Sequence, residues 1–298
     1  MGREYTGSTQ SRHALTTCAG VDQDLPTDGI PLMNTSSPWT VLCVDGRDAQ
    51  DFLHRQLTAD IAGLVPEQCV QAGLCQPDGR LLATPVVCWL EGRLRLILPA
   101  DLAQPVSRRL QMFVLRDDVQ LSVSDVPCRP IEANHSLAAG QTQETTDGLQ
   151  LSLAGDVPRT LQLGGETSNH IDVDTWRRQT IAAGAPQIYA TTSGQLLPQS
   201  LRLDQLGGVS FRKGCYPGQE VVARLHYRGQ LKRLLARADI EQGSCSPGET
   251  VQMDGRGIGL VVEAVDDAAL VVVHQDALGG TGETIHGQLH IAERSLHG

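Results

Sequence analysis

The chain has 298 residues, of which 40% are hydrophobic, 3% aromatic and 19% charged, and its net charge is −10 at pH 7. This length supports two or three compact units with largely aliphatic cores, and the composition is ordinary for a soluble globular protein. The acidic balance argues against a broad nucleic-acid-binding surface, although it is compatible with a small basic pocket for an anionic ligand.

The cysteines indicate a reducing compartment. Eight of them are scattered through the chain without a C-x-x-C pair, and several lie in apolar, strand-like runs such as Val41–Val44. Thiols of this kind are typical of cytoplasmic proteins rather than of disulfide frameworks. We predict no metal site made wholly by this chain, whereas a shared ligand supplied by Cys215 alone remains open. No run is long and apolar enough to cross a membrane, so no membrane partner is expected.

Residues 1–33 are polar and show no apolar period, which predicts a flexible N-terminal extension. Residues 34–126 show the order strand, helix, three strands, helix, strand, which is typical of a ferredoxin-like α+β unit with one extra strand. The predicted strands are 39–44, 68–75, 81–89, 93–98 and 119–123. The first helix is predicted after Gly46, and the second over 101–115.

The remainder divides into three parts. Residues 127–171 are strand-like pieces between polar loops, and we predict a second α+β lobe there. A helix is predicted over 172–183, with Asp174 as its N-cap and Gly184 as its end. Residues from about 172 to 228 are expected to complete the first unit. From 229 to 298, short strands and turns predict a small antiparallel β-barrel.

The most informative stretch is Lys213-Gly214-Cys215-Tyr216-Pro217-Gly218-Gln219-Glu220. Cys215 lies between two glycines, just after Arg212 and Lys213. Pro217 suits the first position of a helix, and Glu220 is spaced to pair with Arg224 across one turn of it. Nearby cations and a helix N-terminus both favour a thiolate, so the pattern predicts a reactive cysteine. The alternative is a buried, inert thiol.

The string from Phe211 to Arg224, with Gly207–Ser210 before it and Tyr227–Gly229 after it, resembles the signature of the YgfZ-like folate-binding proteins. That family is related to the T-protein of the glycine cleavage system (GcvT). Similar landmarks run from about residue 36 to the C-terminus, among them Val44–Leu53, Gln56–Asp60, Asp78–Leu81, Phe113–Arg116, Gly184–Pro186 and Leu197–Gln199.

The resemblance implies a three-domain ring of the GcvT/YgfZ type, closed by the C-terminal barrel, with tetrahydrofolate bound toward its centre. Trp39 and Trp176 fall on the two tryptophan positions assigned to the folate site in that family. A flat pteridine ring gains from contact with indole, although a purely structural role in the core is the alternative. Arg224 or Arg228 is expected to meet the negatively charged glutamate tail of folate.

One difference between this chain and the aminomethyltransferase relatives distinguishes two candidate activities. The aminomethyltransferase relatives carry a pair of aspartates where this chain has Ala83 and Thr84, and neither residue supplies a carboxylate. The resemblance therefore implies a tetrahydrofolate-dependent factor that assembles or repairs iron–sulfur clusters in client enzymes, including the enzyme that methylthiolates tRNA. Its expected partners are folate and iron–sulfur client or assembly proteins, and Cys215 is expected to act as a transient ligand or in thiol exchange. Folate-dependent aminomethyl transfer, and a folate-binding module with a structural Cys215, are the alternatives.

Overall fold

The computed structural model describes residues 37–166 and 168–297. The predicted extension over 1–33 lies outside the described residues. The described chain forms three units, and each contacts the other two. One apolar core joins the first unit to the second, another joins the first unit to the C-terminal barrel, and an ion pair between Asp156 and Arg237 joins the second unit to the barrel.

The first unit is built on a five-stranded antiparallel sheet with the strand order β2-β5-β6-β1-β7. Without β2 this is the order of a ferredoxin-like sheet, so β2 is the predicted extra strand, at the edge. Helices α1 (Ala49–Gln56) and α2 (Ala103–Gln111) contribute to the core on one face. The strands are β1 (Trp39–Asp45), β2 (Cys69–Gln71), β5 (Val86–Leu90), β6 (Arg93–Pro99) and β7 (Gln120–Ser124).

Two strands predicted as continuous are broken, and the pieces form a separate hairpin. Residues 68–75 divide into β2 and β3 (Leu74–Cys75), and residues 81–89 divide into β4 (Leu81–Ala83) and β5. Pro85 has no N–H for a ladder hydrogen bond, which explains the second break. Strands β3 and β4 form a separate two-stranded sheet, and the turn between them contacts the segment that follows Cys215.

The second unit is a four-stranded antiparallel sheet in the order β8-β11-β10-β9, followed by helix α3 (Val173–Ala183). The N-cap of α3 is Asp172 rather than the predicted Asp174, because the Asp172 carboxylate accepts a hydrogen bond from the Thr175 backbone N–H at 2.7 Å. Gly184 ends the helix in the left-handed conformation, as predicted. The strands are β8 (Cys128–Ile131), β9 (Thr142–Thr145), β10 (Gly148–Leu153) and β11 (Arg159–Leu163).

The last helix leads into a closed six-stranded barrel. Helix α4 (Gln219–Arg228) has Gly218 as its N-cap, so Pro217 lies before the helix and not at its first position. The predicted C-terminal antiparallel barrel is confirmed, and so is the α+β class with a ferredoxin-like unit. The barrel strands are β12 (Arg233–Gly243), β13 (Thr250–Met253), β14 (Arg256–Val265), β15 (Ala268–His274), β16 (Thr281–Glu283) and β17 (Gly287–Ser295).

The five-stranded sheet separates two apolar cores. Successive side chains of β1 point to opposite faces, so Leu42 and Val44 enter the core that also holds Val222 of α4. Trp39 and Val41 enter the other core, together with Trp176 and the second sheet. The alternation of side chains along β1 thus places the indoles and helix α4, which follows Cys215, on opposite faces of the sheet.

Candidate functional site

The two predicted indoles lie against each other. Trp39 begins β1 and Trp176 lies on α3, and their ring centroids are 5.5 Å apart at an interplanar angle of 82°. The Trp39 indole N–H donates a hydrogen bond to the side-chain oxygen of Gln187 at 3.0 Å. Both rings are almost fully enclosed, with 5% and 2% of their residues' surfaces exposed. An edge-to-face pair of this kind presents two flat apolar surfaces at right angles.

A buried arginine lies beside the indoles. The guanidinium of Arg159 is 5.4 Å from the centre of the Trp176 ring. Its two terminal nitrogens donate to the Thr180 hydroxyl and to the backbone oxygens of Ala185 and Ala154 at 3.0–3.4 Å, whereas its Nε has no partner among the described residues. Burial lowers the pKa of Arg159 to about 10. One buried donor is therefore available next to the rings.

A buried carboxyl group of the barrel, that of Glu263, lies close to helix α3. Glu263 of β14 is fully enclosed and accepts a hydrogen bond from the Tyr189 hydroxyl at 2.6 Å. The Nε of Arg177, the residue after Trp176, lies 3.8 Å from the other carboxyl oxygen. Burial raises the pKa of Glu263 to about 7, and burial also raises the pKa of Tyr189 well above its usual value. The carboxyl is thus poised between its neutral and charged forms near neutral pH.

Ala83 and Thr84, the two positions at which the resemblance predicts a difference from the aminomethyltransferases, are buried and make contacts within the protein. Ala83 ends β4, and both Ala83 and Thr84 are buried. The Thr84 hydroxyl accepts a hydrogen bond from the Ile188 backbone N–H at 3.0 Å. Ile188 follows Gln187, the partner of Trp39, so this position is linked to the indole pair through two consecutive residues. Position 84 therefore carries a hydroxyl group, and neither position 83 nor position 84 carries a carboxylate.

Lys213 holds the end of α1 rather than the thiol. Its ammonium group donates to the backbone oxygens of His54, Leu57 (2.5 Å) and Ala59 (2.9 Å), which lie at and just beyond the C-terminal end of the helix. Burial lowers the pKa of Lys213 to about 8. A cation at this end of a helix is favourable, because unpaired carbonyl groups and the negative end of the helix dipole meet there. The three N–H donors of the signature lysine therefore serve the fold of the first unit.

Tyr216 lies beneath this lysine. The Lys213 ammonium is 5.3 Å from the centre of the tyrosine ring, and only 6% of Tyr216 is exposed. Its hydroxyl is buried without a hydrogen-bond partner among the described residues, and burial raises its pKa. The ring thus anchors the loop on the side that faces the core, and Cys215 is left on the outer side.

The loop that carries Cys215 is held by a close backbone contact. Gly218 has φ +82°, and a Cβ built there would lie 2.4 Å from the backbone oxygen of Gln76 and 2.7 Å from the Cα of Gly79. Gly214, by contrast, has no neighbour within 4 Å of such an atom. Of the seven described cysteines Cys215 alone is exposed, while five are buried and Cys245 is partly buried. The signature therefore presents one thiol on an anchored loop.

The other predicted residues of this segment lie on α4. Gln219 and Glu220 form its first turn, and Arg224 and Arg228 are exposed on its surface. The predicted Glu220–Arg224 ion pair is not formed within 37–166 and 168–297. No described contact of Arg224 or Arg228 involves an indole. The candidate site therefore has two parts on opposite faces of the five-stranded sheet: the indole pair with Arg159, and the Cys215 loop with α4.

Comparison with known proteins identifies the family. The tRNA-modifying protein YgfZ of Cronobacter sakazakii is 30% identical over 280 residues, an alignment that covers 82% of this chain and 84% of the relative. The chain belongs to the YgfZ family. The tRNA-modifying protein YgfZ of Shigella dysenteriae serotype 1 is 29% identical over 239 residues, which covers 69% of this chain and 71% of the relative. No family model matches.

The fold is shared with a wider group. The crystal structure of the glycine cleavage system aminomethyltransferase T from Bartonella henselae matches with a TM-score of 0.63 at 14% identity, covering 86% of this chain and 83% of that chain. At this identity the likeness shows the fold alone. The YgfZ relatives confirm the predicted family, and the solved structure shows that the chain has the fold of this aminomethyltransferase.

The described part of the chain contains neither a metal-binding cluster nor a membrane-spanning helix. No group of three or more His, Cys, Asp or Glu residues there is arranged to hold a metal ion. No helix in 37–166 or 168–297 has the length and apolarity that crossing a membrane requires.

Sequence reasoning missed the polar residues around the indoles in this member of the YgfZ family. Glu263 interrupts an apolar run of β14, which is an unusual place for a charged side chain, and that pattern is a usable signal of a buried polar network. Arg159 begins the mixed strand β11 and gives no comparable signal. Gln187 and Tyr189 carry no such signal, because their partners are 148 and 74 residues away in the chain.

Proposed function

We propose that this protein binds tetrahydrofolate at the indole pair and supports, through Cys215, the iron–sulfur clusters of enzymes that modify tRNA, including methylthiolation. Two relatives are named tRNA-modifying protein YgfZ, and the proposal extends that role to this chain. The single observation that carries it is Cys215, an exposed thiol on an anchored loop in a chain whose other described cysteines are buried or partly buried. A cytoplasmic location belongs to the proposal, because an exposed thiol stays reduced there.

The residues around the indoles suit a flat, polar heterocycle. Trp39 and Trp176 offer perpendicular apolar surfaces, and the unpaired Nε of Arg159 offers a buried donor to a ring that carries oxygen and nitrogen acceptors. The Arg159 guanidinium lies 5.4 Å from the centre of the Trp176 ring, so it is better placed for folate at the indoles than Arg224 or Arg228 on α4. When bound, tetrahydrofolate supplies one-carbon carrier chemistry, and the protein residues bind and orient it.

Cys215 is proposed to meet the cluster as one thiolate ligand or as a thiol that exchanges with a client. A single cysteine does not complete the ligand set of an iron–sulfur cluster. The described residues contain no group of three or more His, Cys, Asp or Glu side chains that could hold a metal ion. The remaining ligands would come from a client or assembly protein. An exposed position suits this role, because the partner must reach the sulfur.

The first test compares two cysteine variants in cells that lack the endogenous relative. Cys215→Ser is expected to abolish the restoration of methylthiolated tRNA, measured by mass spectrometry of digested tRNA. Cys245→Ser is the matched control, because Cys245 is partly buried in the barrel unit, and it should restore the modification. Both purified variants should bind tetrahydrofolate like the wild type. Full restoration by Cys215→Ser would show that the thiol is structural.

The second test addresses the folate site with three variants that each replace one tryptophan. Trp39→Phe and Trp176→Phe should weaken tetrahydrofolate binding in isothermal titration calorimetry by about tenfold, because each removes part of an aromatic contact surface. Trp89→Phe is the control, since its indole N–H donates to the backbone oxygen of Leu64 and it takes no part in the pair. Equal affinities in all three variants would place folate elsewhere.

Aminomethyl transfer is the alternative that the shared fold raises. The buried Ala83 and the engaged Thr84 argue against it, because neither residue can balance the positive charge of a folate amine. Incubation with tetrahydrofolate and an aminomethylated lipoyl carrier should release no ammonia above the uncatalysed rate. Catalysed ammonia release would favour the transferase and count against the assembly role.

A further inference from the structure

Charge is distributed very unevenly along the chain. Residues 211–233 contain six of the 24 Lys and Arg residues but only one of the 34 acidic residues, in a chain whose net charge is −10. The ammonium group of Lys213 is hydrogen-bonded to backbone oxygens at the end of α1, so five cations of the segment have no such partner. All five are exposed, and none forms an ion pair with a described residue: Arg212, Arg224, Arg228, Lys232 and Arg233.

None of the four arginines in this segment lies within 4.0 Å of a described carboxylate. Elsewhere in the described chain, nine of the sixteen arginines do. The sole acid of the segment, Glu220, is four residues before Arg224 and still does not pair with it. The positive charge of this surface is therefore not neutralised from within the fold, and it is available to an external anion.

The exposed side of α4 collects charge and an aromatic ring. Residues 224, 227 and 228 recur at helical spacing on one side, roughly opposite the buried Val222. Tyr227 is 66% exposed, an unusual state for a large aromatic side chain. Its ring meets that of His226 at 4.8 Å, and His226 stacks on Phe211 at 3.7 Å with an interplanar angle of 12°. The stack fixes the position of Tyr227 at the surface.

We propose that this surface binds a single-stranded stretch of RNA. We call it the basic face and define it as Arg212, Arg224, Tyr227, Arg228, Lys232 and Arg233. The cations contact successive phosphates and a base stacks on Tyr227, which is the combination that single-stranded nucleic acid requires. The inference rests on the proposed function in one respect: it makes RNA itself, and not only the modifying enzyme, a partner of the segment that carries Cys215.

An acidic protein is the competing occupant, and the aromatic stack disfavours it. An acidic peptide needs cations but gains little from an exposed tyrosine held by a ring stack, whereas every base offers a flat face. The basic face also continues past the end of α4. Arg233 lines a cavity of about 180 Å³ between the barrel and the loop that contains Gln195, with backbone glycines 257 and 259 on its wall. Such a mixture of arginine and bare backbone suits a phosphate or a ribose.

The experiment measures the fluorescence anisotropy of a labelled single-stranded oligouridine titrated with the full chain across a range of salt concentrations. The double variant Arg224→Gln/Arg228→Gln should bind about tenfold or more weakly at low salt. The slope of log K against log salt should fall by about 1.4, or about 0.7 for each phosphate that an arginine no longer neutralises. The matched control is Arg108→Gln/Arg116→Gln, which also removes two exposed, unpaired arginines but on and after α2, a helix that packs on β1 and β7. It should leave binding unchanged.

Variants of Tyr227 distinguish the contribution of base stacking to RNA binding from the contribution of charge. Tyr227→Ala should weaken binding about tenfold while the salt slope stays the same, and Tyr227→Phe should retain the affinity because the ring remains. Thermal unfolding of each variant establishes that it is folded. No binding of oligouridine by the wild type at low salt would refute the proposal, and so would equal losses in the test and control variants. Competition by poly-glutamate as effective as unlabelled oligouridine would identify an acidic protein as the occupant instead.

Failure of this inference is distinguishable from failure of the proposed function. Cys215→Ser lies outside the basic face and should bind oligouridine like the wild type. If RNA binding holds but Cys215→Ser restores tRNA modification, the thiol role fails alone. If RNA binding is absent but Cys215→Ser abolishes the modification, the basic face fails alone.

Discussion

Replacing the glycine at the start of α4 should dislodge the loop that presents Cys215. Gly218 has φ +82°, and this left-handed conformation costs an alanine about 1–2 kcal/mol. The added Cβ would also lie 2.4 Å from the Gln76 backbone oxygen and 2.7 Å from the Cα of Gly79. Backbone atoms cannot rotate away from such a contact, so overpacking adds about 1–2 kcal/mol more. We expect Gly218→Ala to lower the free energy of unfolding by about 2–4 kcal/mol.

The matched control is the glycine on the other side of the cysteine. A methyl group added at Gly214 would have no heavy atom within 4 Å, and the residue has no positive φ, so Gly214→Ala should change the free energy of unfolding by less than about 0.5 kcal/mol. Urea unfolding with linear extrapolation gives both values. The rate of Cys215 modification by a maleimide reports on the loop and should change only in Gly218→Ala. Equal destabilisation by the two variants would refute the reasoning.

Two further predictions concern buried charges. The pKa of Glu263 is 4.5 when unperturbed and about 7 in the folded protein, so between these pH values the folded state retains a proton that the unfolded state has released. The free energy of unfolding should therefore fall as pH rises through this range, by about 3 kcal/mol in total. Glu263→Gln should flatten this part of the profile in urea unfolding at several pH values, and an unchanged profile would contradict the assignment. Lys213→Met should cost about 3 kcal/mol because three backbone oxygens lose a charged donor. The exposed Lys232→Met is its control and should cost less than about 0.5 kcal/mol; comparable losses in the two variants would mean that the α1 contact is unimportant.

Local patterns predicted much of the fold. The ferredoxin-like order of the first unit followed from alternating strand and helix periods, and the barrel followed from short strands separated by turns. These features are readable because the chain neighbours that define them lie within a few residues of each other. The errors were also local: Pro85 interrupts a strand predicted as continuous, and Asp172 rather than Asp174 caps α3.

The sequence by itself determined the family, the elements and the candidate residues Trp39, Trp176 and Cys215. Only the tertiary structure decided which of them meet. The indoles touch because β1 and α3 contribute to one core, and the thiol stays exposed because Lys213 reaches oxygens more than 150 residues earlier in the chain. No periodicity encodes contacts at such separation, since they depend on how whole sheets and helices pack.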